Sequence, residues 1–290
     1  MTVWTDGYWW SNDGLRLHYR DYPGDDPARP PVICIPGLTR NARDWDGVAA
    51  RLSPDWRVIC VDLRGRGESA YAKDPMTYVP LTYVQDLEAL LRELALNRFI
   101  LFGTSLGGLL SMLLGAAERQ RVAGLLINDV GPALNDAGIA RIRSYVGRST
   151  SGPTWVHAAR DLREAHGASY PDWKLEDWLV FAKRVARLSN SGRIVYDYDL
   201  RIAEPFKLPL LAGLDMWSAF ETLGDVPALV VRGEHSDILS AETLARMEAV
   251  HSELEALTVP RIGHAPTLDE PAVQEAIGRL LDRVSERQLA

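Results

Sequence analysis

Phe99-Ile100-Leu101-Phe102-Gly103-Thr104-Ser105-Leu106-Gly107-Gly108 is the stretch on which the reading of this chain turns. Phe99 to Phe102 is a short apolar run, as expected for a strand buried on both faces. An apolar helix, Leu106 to Ala117, follows directly. A strand that turns this sharply into a helix holds the residue at the corner in a strained backbone conformation, with its side chain thrust out of the sheet. That residue is Ser105. The residues two before and two after it must be small, because their side chains would collide; glycine stands at 103 and 107, and Gly108 lets the helix pack closely. The helix amino terminus places a positive dipole end beneath whatever Ser105 attacks.

Working outward, the same alternation recurs. Gly7 to Trp10 and Leu15 to Tyr19 flank the turn signal Asn12-Asp13-Gly14 and read as a hairpin. Pro31 to Ile35, Arg57 to Val61, Val122 to Ile127, Ala228 to Val231 and Ala256 to Val259 are further strand-like runs. Helical patterns separate them: Ala42 to Leu52, Leu81 to Leu94, Ala241 to Val250 and Pro271 to Glu286. This order predicts an α/β fold, a mostly parallel twisted sheet with helices on both faces and the hairpin adding antiparallel strands to one edge. Residues 131–214 break the alternation and read as several helices, including Trp155 to His166 and Leu175 to Leu188. They form a helical insertion over the carboxyl ends of the strands, where such sheets bind ligands. The expected division is therefore a core of residues 1–130 and 215–290, with a helical cap of residues 131–214.

Composition sets limits on the function. The 290 residues are 47% hydrophobic and 24% charged, with a formal net charge of −7. That balance argues against a nucleic-acid partner, which wants a concentrated basic face. No apolar run approaches the roughly 18 residues needed to cross a bilayer, and the amino terminus lacks the pattern of a signal peptide. The chain reads as cytoplasmic, with a small-molecule substrate as partner. Cys34 and Cys60 sit inside apolar strand runs and read as buried thiols. No metal-ligand spacing is present, and neither a metal nor an organic cofactor is expected.

A serine hydroxyl is a poor nucleophile near neutral pH and needs a base beside it. His264, in Arg261-Ile262-Gly263-His264-Ala265-Pro266, lies in a loop past the last strand at the same sheet edge as Ser105. The base in turn needs a carboxylate to fix its tautomer. Asp237, in the polar loop after Ala228 to Val231, is the expected acid; Asp129, after the preceding strand, is its main rival, with Glu234 and His235 close by. Acyl transfer also needs two backbone N–H groups facing the oxyanion. Leu106, after the nucleophile, supplies one, and Leu38, in the loop Ile35-Pro36-Gly37-Leu38-Thr39, the other.

With these residues in place, the chain resembles the α/β-hydrolase superfamily over nearly its whole length. Asp62-Leu63-Arg64-Gly65-Arg66-Gly67-Glu68-Ser69 is similar to a loop that the family carries after a core strand. The resemblance implies a serine-nucleophile hydrolase, esterase-like, with a cap that decides the substrate and no cofactor. Serine at 105 argues against dehalogenases and epoxide hydrolases, which carry aspartate there. Pro36 departs from the histidine usual before the loop glycine. A carboxylesterase is the leading expectation; a lactonase or carbon–carbon bond hydrolase could use the same triad, and a non-catalytic binding protein of this fold is the alternative outside enzymes. The cap tryptophans, Trp155, Trp173 and Trp178, with Trp217 near its end, either pack its core or wall an apolar pocket.

Overall fold

All eight strand-like runs enter one sheet. The protein is described from a computed structural model covering residues 4–149, 151–208 and 213–289. The strands are β1 (Thr5–Trp10), β2 (Arg16–Tyr22), β3 (Val32–Ile35), β4 (Val58–Asp62), β5 (Phe99–Thr104) and β6 (Val122–Asn128). After a long intervening segment come β10 (Ala228–Gly233) and β11 (Leu254–Val259). Their spatial order is β1-β2-β4-β3-β5-β6-β10-β11. From β4 to β11 every pair is parallel, while the β1–β2 hairpin joins β4 antiparallel, at one edge as its turn signal implies.

Alternating side chains feed two apolar layers, because successive residues of a strand point to opposite faces. In β5, Phe99 and Leu101 pack on one face with α2 (Pro80–Glu93) and α3 (Leu106–Ala117). Ile100 and Phe102 pack on the other, against α1 (Asp46–Leu52) and α10 (Pro271–Leu289). α8 (Met216–Glu221) and α9 (Ala241–Val250) complete the first layer. Cys34 and Cys60 face each other in the β3–β4 register and remain buried free thiols.

The chain steps from β3 outward to β4, then returns across β3 to β5 and moves the other way. Loops leaving the carboxyl ends of β3 and β5 therefore diverge, opening a crevice at the switch point. The Gly37–Leu38 loop and Ser105 flank that crevice.

Between β6 and β10 lie α4 (Asp136–Tyr145), α5 (Trp155–His166), α6 (Leu175–Val185) and α7 (Ala203–Phe206). This segment is not purely helical, as the sequence suggested. Ala186–Leu188, expected as the end of a helix, is instead strand β8, which pairs with β9 (Ile194–Tyr196), and β9 pairs with β7 (Ser151–Gly152). Arg187 and Leu188 are exposed, so no buried apolar run announces the strand. The helices have a small core of their own, with Ala159, Leu162, Tyr170, Trp178, Phe181, Ala182 and Val185 buried together. Among the described residues, no helix is long and apolar enough to cross a membrane.

Candidate active site

Ser105 occupies the corner between β5 and α3 with φ 53° and ψ −116°, a left-handed backbone that a non-glycine residue adopts only under constraint. The constraint is steric and hydrogen-bonded. The Ser105 N–H donates to the Asn128 carbonyl of β6 at 2.9 Å, and the Ser105 carbonyl accepts from Gly108 and Leu109. A Cβ at Gly103 would stand 2.3 Å from the Gly107 carbonyl oxygen, and one at Gly107 only 2.0 Å from that of Ile35. Both positions exclude any side chain, which is why the corner reads G-x-S-x-G.

His264 lies in the loop between β11 and α10, and the surrounding contacts hold it over Ser105. Gly263 N–H donates to Ser169 of the 131–214 segment at 2.8 Å. Tyr170 donates its hydroxyl to the Ala265 carbonyl at 2.7 Å, and the Asn128 amide donates to Pro266 at 2.8 Å. The imidazole Nε2 lies 2.9 Å from Ser105 Oγ, and Nδ1 lies 2.7 Å from Asp129 Oδ2.

The carboxylate facing His264 is thus Asp129, not the expected Asp237. Asp129 directly follows β6, has φ 57° and is fully buried. Its Oδ1 accepts the Gly233 N–H at 2.8 Å; its Oδ2 accepts the Ser236 hydroxyl at 2.7 Å as well as facing Nδ1. Asp237 is turned away and bound by both nitrogens of a fork from Arg141, Nε and Nη2, at 2.5 and 2.8 Å. Burial pushes the Asp237 carboxyl up, but the Arg141 guanidinium more than offsets it and holds the group below the usual carboxylate value. The alternatives Glu234 and His235 lie half-exposed or more, and among the described residues neither side chain hydrogen-bonds the imidazole.

An ionised carboxylate only accepts hydrogen bonds, and both Asp129 oxygens already take N–H or O–H donors. His264 Nδ1 therefore carries the ring proton, and Nε2 is free to accept the Ser105 hydroxyl. Leu38 and Leu106, the expected backbone donors, line the same crevice as Ser105. Gly37 carbonyl accepts the Arg40 N–H at 3.1 Å, and in a trans peptide the Leu38 N–H must point the opposite way. Buried Arg66, from the Asp62–Ser69 loop, donates to the Leu38 carbonyl at 2.9 Å and fixes the next peptide. Among the described residues neither the Leu38 nor the Leu106 N–H donates to a protein acceptor. Sequence reading noted the 62–69 loop but not this supporting role of Arg66.

Two arms of the crevice meet at Ser105. One is apolar, lined by Leu106, Leu109, Val130, Ile139, Ile142 and Phe206 among others. The other contains His264 and is mixed, with Arg40, Asp44, His166 and Arg184 set among aromatic and aliphatic side chains. Burial, reinforced by the charges of Arg40, Arg141 and His264, lowers the His166 pKa to about 3, so its ring is neutral near pH 7. None of the four cap-region tryptophans lines either arm. Trp155, Trp173 and Trp178 belong to the small core of the 131–214 segment, and Trp217 packs on the main core beneath the Arg246 guanidinium. The aromatic walls near Ser105 are Trp45, Tyr145, Tyr170 and Phe181.

Comparison with known proteins gives the class. The chain belongs to the alpha/beta hydrolase family, whose profile matches residues 32–276. It is similar to the crystal structure of an alpha/beta hydrolase from Novosphingobium aromaticivorans, with 57% identity, a TM-score of 0.94, and 98% and 99% of the two chains covered. It is 36% identical over 266 residues to the 3-hydroxybutyrate-oligomer hydrolase of Cupriavidus necator, covering 89% of each chain. A more distant relative is the 2-(acetamidomethylene)succinate hydrolase of Mesorhizobium japonicum, 26% identical with 87% and 88% covered.

Proposed function

We propose that this protein hydrolyses short carboxylic esters through an acyl-Ser105 intermediate. The observation that carries the reading is the imidazole of His264 set between Ser105 Oγ at 2.9 Å and buried Asp129 at 2.7 Å. Nε2 takes the hydroxyl proton as Oγ attacks the ester carbonyl, and Asp129 stabilises the imidazolium that forms. The developing oxyanion sits against the Leu38 and Leu106 N–H groups at the amino end of α3, each worth roughly 3 kcal/mol in the transition state. The imidazolium then protonates the departing alcohol, and water repeats the sequence to release the acid. Residues 131–214 act as the cap of the site.

The leaving alcohol must lie beside His264, its proton donor, and hence in the mixed arm; the acyl chain takes the apolar arm, which lacks His264. The similarity to a 3-hydroxybutyrate-oligomer hydrolase supports an aliphatic oligoester as substrate. A fluorophosphonate probe is expected to label Ser105, and Ser105→Ala should fold normally while losing turnover of p-nitrophenyl butyrate by about 10⁴ or more. Labelling elsewhere, or a nearly active alanine variant, would remove the assignment. Turnover of a ring-fission diketone with no ester cleavage would move the chemistry to carbon–carbon bonds.

A further inference from the structure

Resting on that ester-hydrolase reading, we infer that Arg40 binds a carboxylate on the leaving alcohol, so that the preferred substrates are esters of hydroxy acids cleaved at their carboxyl-terminal linkage. The position fits. Arg40 Cγ and Ser105 Cβ both approach the point where a Gly37 Cβ would stand, at 3.5 and 3.7 Å, so the arginine stem rises beside the nucleophile. Its guanidinium lies on the ring of Phe181, 4.2 Å from the centroid, within the cleft beneath the 131–214 segment.

The charge balance fits as well. In a chain of formal charge −7, the lining of the leaving-group arm carries two guanidiniums, Arg40 and Arg184, against one carboxylate, Asp44. His166 there is neutral, and the tyrosines Tyr145 and Tyr170 are held above their usual value by burial. Asp44 accepts only from Arg40 Nη1, at 3.2 Å. That bond and a hydrogen-bonding contact with Tyr170 leave the guanidinium with donors to spare, and its planar fork matches the paired oxygens of a carboxylate. Arg184 is partly neutralised by Asp269, which it meets at 3.2 Å and which also pairs with Arg51. Of the two guanidiniums, Arg40 is the one whose stem stands beside Ser105, so position and not charge alone singles it out.

The geometry also sets the direction of cleavage. An oligoester of a short hydroxy acid has one free carboxylate, at one end. Anchoring that end at Arg40 leaves the last ester carbonyl at Ser105 and the rest of the chain in the apolar arm. The products are one hydroxy acid, which leaves with the alcohol oxygen, and a shortened acid released from Ser105 by water.

The test compares kcat/KM for the linear dimer of 3-hydroxybutyrate with that for its methyl ester, which keeps the scissile bond and removes the charge. Wild type is expected to prefer the free acid by on the order of 10- to 100-fold, the range for a charge-assisted hydrogen bond. Arg40→Met should bring the ratio close to one, and Arg40→Lys should restore part of it. p-Nitrophenyl butyrate, which has no carboxylate, reports the ester chemistry separately. Turnover of that ester with no preference between dimer and methyl ester in wild type overturns the carboxylate site alone. So does a preference that persists in Arg40→Met. Failure to cleave any of the three esters overturns both readings. Where the methionine variant does not fold, Arg40→Lys carries the test: its preference should fall below that of wild type, and an unchanged preference overturns the site.

Discussion

Asp129→Asn tests the proposed triad against the acid that the sequence suggested, Asp237. In the native site Oδ1 accepts the Gly233 N–H at 2.8 Å, and Oδ2 meets Ser236 Oγ and His264 Nδ1, both at 2.7 Å. The Gly233 amide can only donate, so an asparagine keeps its oxygen there and places its NH₂ group where Oδ2 stood. That NH₂ confronts Nδ1 with a donor, and the ring answers by moving its proton to Nε2. His264 then presents a hydrogen to Ser105 and has no lone pair with which to take one. The same exchange in a serine-protease triad lowers turnover by about 10⁴, or about 5 kcal/mol of transition-state stabilisation. The Ser236 hydroxyl can rotate to accept from the new amide, so folding should survive. Asp237→Asn removes only a partner of Arg141, a pair about one-third exposed on both sides. Its stability cost should stay within about 1 kcal/mol, and turnover should fall by no more than about 10-fold. The assay is p-nitrophenyl butyrate hydrolysis by variants whose far- and near-ultraviolet circular dichroism matches wild type. Equal losses, or a larger loss for Asp237→Asn, would refute the assignment of Asp129.

Two further outcomes follow from the surrounding structure. Trp178 is 1% exposed in the small core of the 131–214 segment, ringed by Tyr170, Trp173 and Phe181; Trp178→Ala should cost about 3–5 kcal/mol of stability, read by thermal denaturation, whereas a loss below about 1 kcal/mol would show that this core is loosely packed. Buried His18 lies between Asp62 at 2.7 Å and Asp6 at 3.0 Å; burial alone would lower its pKa, but the two carboxylates more than offset that and raise it above 6.5. Its charged form therefore contributes stability that is complete below pH 6.5 and is lost as pH rises through the higher folded value. Urea denaturation of wild type and His18→Asn should give a stability difference that is largest at pH 6 and shrinks toward pH 8; a gap independent of pH would mean that His18 does not titrate there.

What could be read from the sequence was whatever a single local pattern encodes. A strand buried on both faces must be continuously apolar, so β3, β4, β5, β6 and β10 were visible as short runs, while the edge hairpin β1–β2 was visible through its turn signal. The corner at Ser105 was visible because its sterics demand glycine at both 103 and 107. His264 was visible because its loop follows the last strand. Strands β8 and β9 were not, since a small sheet with exposed Arg187 and Leu188 leaves no apolar run to find. The tryptophans were ambiguous for a related reason: helical spacing places them on a face without saying what that face meets.

The acid illustrates a deeper limit. β6 and β10 are parallel neighbours, with Asn128 opposite Val231, so the residue after β6 and the loop after β10 arrive at one place on the sheet edge. Chain order cannot choose between two carboxylates delivered to the same place by adjacent strands. The choice is made by contacts distant in sequence. Arg141, 96 residues before Asp237, takes that carboxylate with a two-nitrogen fork. Asp129 meanwhile enters the left-handed region at φ 57°, directing its carboxylate to the Gly233 amide and the imidazole. A positive φ at an aspartate leaves no mark in composition or periodicity, because aspartate tolerates that conformation better than most residues and needs no glycine to announce it. The position of Ser105 is written in its neighbours' lack of side chains, whereas that of Asp129 is written in its neighbours' hydrogen bonds, and only the first kind of constraint survives in a linear sequence.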